Sequence, residues 1–294
     1  MVGKKPNGPI GIVREKIFGI PVDRSILFTN HKRIYKKGIE KRQRKLVIKV
    51  PFIKPFLEND EMVLLITTGY SPLTSFEKYI IGWFFIYLKR SLFIFTNKRI
   101  FHVPTTPIYS YRHIISHIIY KHCRSISLNG STLVVNYLKL GLSERFIGFA
   151  GKERKRINEL LKSIPMKGRL EGATVRTNIC PRCTSILLMA NNQCTRCKLK
   201  FKTGMTAKLL SVLSPGGGYF YVRQYFLGML TAIIEIALLI LAGLLIFDIS
   251  KGVTFGIWWL VIILAALTLS KTVAIFHVAN FIREIIPQKR SVTS

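Results

Sequence analysis

The sequence predicts an α+β multidomain membrane protein, and three observations predict it. Two long apolar runs near the C-terminus each match a bilayer in length. A basic, strand-rich region ahead of them ends in an amphipathic helix. Between the two lie paired cysteines, Cys180-x2-Cys183-x10-Cys194-x2-Cys197. The 294 residues have room for about two compact domains. With 49% hydrophobic residues and a mean hydropathy of +0.30, the chain need not all be soluble. Its 45 Lys+Arg against 14 Asp+Glu give a formal charge of +31, which attracts nucleic acid or an anionic membrane face.

Residues 1–55 form a basic N-terminal segment, with short strands expected at 26–29 and 46–50. Met1–Arg14 is interrupted by Pro6, Gly8, Pro9 and Gly11, so no cleaved signal peptide is expected and this end should stay in the cytosol. The cations can be a solvated face or can attract anionic lipid, at roughly 1 kcal/mol per basic side chain near the surface. Nucleic acid ranks lower, because only Phe18, Phe28 and Tyr35 are interleaved for base stacking.

From Arg90 to Ile164 the pattern is a β-meander closed by a helix. Strands are expected at 91–95 and 100–103 around Thr96-Asn-Lys-Arg99, then at 125–128 and 131–138 around the Asn129-Gly130 turn, and at 145–149. Over 152–163 helical spacing puts Ile157, Leu160, Leu161 and Ile164 on one face. The ten-residue apolar run within Lys78–Leu88 is too short to span and is read as core or as a membrane-dipping segment. Asp60-Glu61 reads as a turn.

"LFIFTNKRIFHV", the strand–Asn-Gly–strand unit and the closing helix resemble the bacterial pleckstrin-homology-like (PH-like) and GRAM-type domains. The resemblance covers residues 56–165. It implies a partly open β-barrel capped by a helix, acting as a binding module without catalysis. With the cysteines and the tail, the domain order resembles uncharacterised bacterial membrane proteins that combine such a module, a zinc ribbon and a terminal helix pair.

Residues 176–203 carry the most specific motif. Four thiolates at this spacing suit tetrahedral Zn²⁺, with Cys180, Cys183, Cys194 and Cys197 as ligands. A filled sulfur shell leaves no site for water, so the zinc is expected to be structural, supplying the folding energy that so short a segment lacks. Ribbons of this kind usually place glycine after each pair; here Thr184 and Lys198 stand there. No catalytic constellation is expected. Tyr111–Cys123 contains His113, His117, His122 and Cys123, but it lacks the HExxH glutamate, and a strand context would scatter the side chains.

Residues 204–224 are read as an interfacial linker whose Pro215 and Gly216–Gly218 let the chain turn, with Tyr219, Tyr221 and Tyr225 at the lipid boundary. A transmembrane hairpin follows over 225–282, with spans at about 226–247 and 255–276. A basic tail occupies 283–294. Lys208 and Arg223 before the first span, and Arg283, Lys289 and Arg290 after the second, outweigh the lone Lys251 in the link. The positive-inside rule then puts both termini of this multi-pass chain in the cytoplasm, and the resemblance to bacterial membrane proteins implies the inner membrane. Glu235 falls mid-span, to be paired with Lys271, or else to form a relay with Lys271 and His277.

These features predict a non-enzymatic membrane-anchored adaptor, presenting a PH-like module and a structural zinc ribbon to anionic lipid headgroups or an acidic protein. Two alternatives remain open on the sequence: a membrane-associated nucleic-acid-binding protein, and an oligomeric ion or proton conductor using Glu235.

Overall fold

The computed structural model describes residues 14–72, 86–138, 141–164, 166, 175–187, 192–252, 256–282 and 285–288. Outside these lie the first 13 residues, residues 78–85 of the apolar stretch, Phe255, and the tail cations Arg283, Lys289 and Arg290. The chain divides into two compact units, the first within residues 1–191 and 195–197, the second within 192–194 and 198–290.

In the first unit, β1 (Arg14–Ile17) and β2 (Ile20–Asp23) form a hairpin that leads into the helical turn α1 (Arg24–Leu27) and helix α2 (Lys37–Val47). The short strands expected at 26–29 and 46–50 are therefore helical or irregular. Asp23 caps α1 by accepting the Ser25 N–H at 2.9 Å. In α2, Gln43 and Val47 are buried four residues apart, while Lys37, Lys41 and Lys45 point outward. Gln43 completes the edge of the next strand, β3 (Val63–Tyr70): its amide donates to the Ile66 carbonyl at 2.9 Å and accepts the Ile66 N–H at 3.1 Å.

Strands β4 (Arg90–Thr96), β5 (Arg99–Pro104) and β6 (Ile115–Ile119) continue the sheet antiparallel. Both faces are covered, which explains their almost wholly apolar sequences. Phe93, Phe95 and Ile100 face one core, while Leu92, Ile94 and Phe101 face another shared with Phe28, Val47 and Ile53. The basic N-terminal segment is thus the second layer of this sheet.

β7 (Cys123–Asn129), β8 (Thr132–Tyr137) and β9 (Ser143–Phe146) form a separate three-stranded sheet. Gly130, at φ 62°, makes the expected turn. Helix α3 (Gly151–Ser163) covers the first core through Ile157, Leu160 and Leu161, as its periodicity predicts. No closed barrel forms among the described strands. The β6 edge that closure would need is taken by β10 (Thr177–Ile179), which pairs with β11 (Ile186–Leu187) and brings the large sheet to eight strands.

The second unit is helical: α4 (Gly204–Leu213), α5 (Gly217–Tyr221), α6 (Tyr225–Ser250) and α7 (Gly256–Ile282). Residues 204–224, expected as a linker, are thus largely helical and pack on α6 and α7. α6 and α7 have 26 and 27 residues, and their most apolar 18-residue windows have mean hydropathies of 2.7 and 2.1, so both are long and apolar enough to cross a membrane.

Candidate metal centre

Both CxxC pairs adopt the same turn. In the first, the Cys180 N–H donates to the Ser185 carbonyl at 2.8 Å and the Thr184 N–H to the Cys180 carbonyl at 3.0 Å. In the second, the Cys194 N–H donates to Leu199 at 2.9 Å and the Lys198 N–H to Cys194 at 3.0 Å. Closing each turn requires a left-handed residue after the second cysteine. Thr184 takes φ 60° and Lys198 φ 56°, where glycine would carry no strain.

These turns bring the four sequence-predicted ligands together. All four Sγ atoms lie within 4.8 Å of one another, with Cys180 and Cys197 at 3.5 Å. Metal–sulfur bonds of about 2.3 Å in a tetrahedron place sulfurs about 3.8 Å apart, which this cluster matches. Cys180 and Cys194 are buried, and burial pushes the Cys180 thiol above its ordinary range although the Arg182 and Cys183 N–H groups oppose the shift. A cation would reverse that balance by binding thiolates. The cluster can hold a metal ion.

Among the described residues no second group of three or more His, Cys, Asp or Glu ligands converges. Burial pushes the Cys123 thiol up to about 12, which leaves it unreactive in the core. His117 turns to Arg99 (Nδ1 at 3.0 Å), while His113 lies against the Tyr111 ring. Comparison with family models, curated proteins and solved structures finds no significant match to this chain.

Two buried networks were not foreseen in the sequence. Glu61, expected in a turn, is fully buried. It accepts from Arg99 Nη2 at 2.7 Å and from the Thr96 hydroxyl at 2.7 Å. Asn97 bonds Met62 N–H and the Asp60 carbonyl, and Lys98 pairs with Glu58 at 2.7 Å. Every residue of Thr96-Asn-Lys-Arg99 is therefore fastened to Glu58–Met62, which makes the motif a hairpin anchor. The signal was the run of acids at 58–61 matching the cations of the hairpin. Elsewhere, His102 sits fully buried among Ser71 (3.0 Å), Ser91 (3.2 Å), Ser116 (3.1 Å) and Arg176 (3.1 Å). Burial, then Arg176, depresses its pKa well below the usual range. The serine–histidine contacts resemble a nucleophile and its base, but no member of the Ser71–Ser91–His102 group reaches solvent, so they serve to join strands.

In the second unit Glu235 and Lys271 do pair, at 2.8 Å. The carboxylate also accepts from Ser270 Oγ at 3.1 Å and the Gly216 N–H at 3.2 Å, and Lys271 donates to the Ser214 carbonyl at 3.2 Å. His277 meets the Tyr219 hydroxyl at 3.1 Å, so Tyr219 is turned inward instead of lying at a lipid boundary.

One cationic surface is well defined. Lys32, Arg33, Lys36, Lys37, Lys41 and Lys45 are exposed around Ile34 and Tyr35, which are themselves exposed. The Asn30 side chain holds the turn by accepting from Lys32 N–H at 2.9 Å and Ile34 N–H at 3.0 Å. Glu40 is the one acid between residues 24 and 57, and Arg44 pairs with it at 2.8 Å.

Proposed function

We propose that the chain is a non-enzymatic adaptor anchored in a bacterial inner membrane, with both termini in the cytoplasm. α6 and α7 are its anchor. The PH-like module and a structural zinc ribbon, in which Cys180, Cys183, Cys194 and Cys197 fill the Zn²⁺ shell, are held at the cytoplasmic face. There the Lys32–Lys45 surface engages anionic lipid headgroups or an acidic protein.

The observation that carries this reading is the bareness of α6 and α7. Only 11% and 17% of their most apolar windows are buried within the fold. Ile233, Ile240, Phe247, Trp258 and Leu269 all point outward and are more than half exposed. A hydrocarbon layer covers such surfaces; water does not. Burying one large aliphatic side chain stabilises by about 1.5–3 kcal/mol, so the sum over two such helices is decisive.

The cationic part is tested with the full chain in neutral-lipid nanodiscs, floated with vesicles of phosphatidylcholine alone or mixed with phosphatidylglycerol. Capture should require the anionic lipid, weaken as salt rises, and fall when Lys32, Lys36, Lys37 and Lys41 are changed to Gln. Equal capture by neutral vesicles refutes the electrostatic contact. Retention on DNA or RNA at the same salt, without vesicle capture, would favour the nucleic-acid reading instead.

A further inference from the structure

We propose that Thr203–Val222 is a re-entrant helical hairpin, which dips into the hydrocarbon core between α4 and α5 and returns to the face from which it came. The proposal rests on α6 and α7 spanning a bilayer.

The two ends of the hairpin meet. Lys202 Nζ bonds the Tyr221 carbonyl and lies over the Tyr221 ring, and the Thr203 N–H donates to the Tyr221 hydroxyl at 3.2 Å. The polar groups that end the spans lie at the same level, with Arg223 bonded to the Gln288 carbonyl at 2.9 Å and Lys202 N–H to Ile286 at 2.8 Å. The tip, Ser214–Gly216, is fixed elsewhere, on Glu235 and Lys271.

Helical rise bounds the depth of the tip. Glu235 lies about 15 Å along α6 from Tyr225, and Lys271 about 17 Å back from the end of α7. The ten residues of α4 cover about 15 Å. The tip itself is shallower than Glu235 and Lys271. Gly216 abuts the Gly228 carbonyl, about 5 Å along α6 from Tyr225, and the five residues of α5 return about 7.5 Å. The Glu235 and Lys271 side chains therefore reach back to a tip about 5–10 Å into a hydrocarbon core of roughly 30 Å.

The chemistry of the hairpin suits that depth. α4 presents Met205, Leu209, Val212 and Leu213 outward, continuous in character with the bare faces of α6 and α7. Its one cation, Lys208, is exposed, and side chains lean toward the helix N-terminus, so its ammonium can reach the headgroups. Non-helical backbone is tolerated at this depth only when protein satisfies its polar groups. The ion pair does so: Glu235 takes the Gly216 N–H and Lys271 takes the Ser214 carbonyl. The glycines permit the fit. Gly216 adopts φ 64°, and a Cβ there would strike the Gly228 carbonyl; a Cβ on Gly218 would strike the Ser211 side chain. Small residues of this kind let helices approach closely in lipid.

A ketone-bearing residue placed singly at 205, 209, 213 or 234, and coupled to a hydroxylamine nitroxide that spares the cysteines, reports depth. The readout is accessibility to oxygen against a water-soluble nickel chelate, with the full chain in phosphatidylcholine–phosphatidylglycerol vesicles. Depth should increase from 205 through 209 to 213, and position 213 should be lipid-buried but shallower than position 234 on α6. A water-exposed 213 with a lipid-buried 234 overturns the hairpin and leaves the spans intact. A water-exposed 234 overturns both. In Lys271→Met protein, position 213 should become shallower while 234 stays; an unmoved 213 contradicts the role given to the ion pair.

Discussion

The left-handed residues of the two cysteine turns allow a quantitative test of the metal centre. Thr184 and Lys198 hold φ 60° and 56° with a Cβ present. That conformation costs about 1–2 kcal/mol for an L-residue, and more for branched Thr184 than for Lys198. Glycine removes the strain but adds about 0.5–1 kcal/mol of chain entropy on folding. At mid-range the net gain is about 0.7 kcal/mol for each of Thr184→Gly and Lys198→Gly, between bounds of about 0 and 1.5 kcal/mol. If folding of the turns is coupled to metal binding, that gain appears as zinc affinity, about threefold at mid-range and at most about tenfold for each change. Chelator competition on the full chain in detergent measures it, with Thr184→Ala as the control that keeps a Cβ. Unchanged or weaker affinity in both glycine variants would refute the argument that these turns close around the ion.

Exchanging Lys271 for Met leaves Glu235 buried without its cation and should cost about 3–5 kcal/mol. Adding Glu235→Gln should recover part of that loss, and a denaturation cycle in mixed micelles that proves additive within about 0.5 kcal/mol argues against coupling. Arg99→Met should likewise destabilise by about 3–5 kcal/mol because it strands Glu61, with partial rescue by Glu61→Gln; thermal melts of the full chain read both. Burial, then Arg99, lowers the His117 pKa to about 4, so the folded state keeps this ring neutral while the unfolded chain protonates it near 6.5. Stability from His117 is therefore complete above about pH 6.5 and is lost as pH falls toward 4, by up to about 3 kcal/mol. His102 acts in the same direction, and His117→Gln should flatten the pH dependence of Tm across that window.

Legibility followed how local the signal was. The cysteine spacing, the apolar runs, the Asn129-Gly130 turn and the α3 stripe are each encoded within a few residues, and all were readable. The pairing of Glu235 with Lys271 was readable from their equal distance to the connecting turn. Residues 26–29 and 46–50 misled because short apolar runs fit strand or helix equally, and the deciding partners are remote: Gln43 on Ile66 and Arg156 on the Leu27 carbonyl at 2.9 Å. The open barrel edge was lost to β10, a three-residue strand whose neighbour in sequence is a cysteine turn. The Glu61–Arg99 pair is 38 residues apart and has no periodicity to betray it. The glycines of 216–218 read as a turn, whereas all three lie where a Cβ would collide with neighbouring atoms of α4 or α6 or of the tip between α4 and α5.

Alkaline carbonate extraction of native membranes tests the anchor most directly. The protein should stay with the sedimented bilayer through the wash and leave it only in detergent. Release into the supernatant would mean that α6 and α7 find their cover in protein, and the account of a membrane-held cationic body would fail.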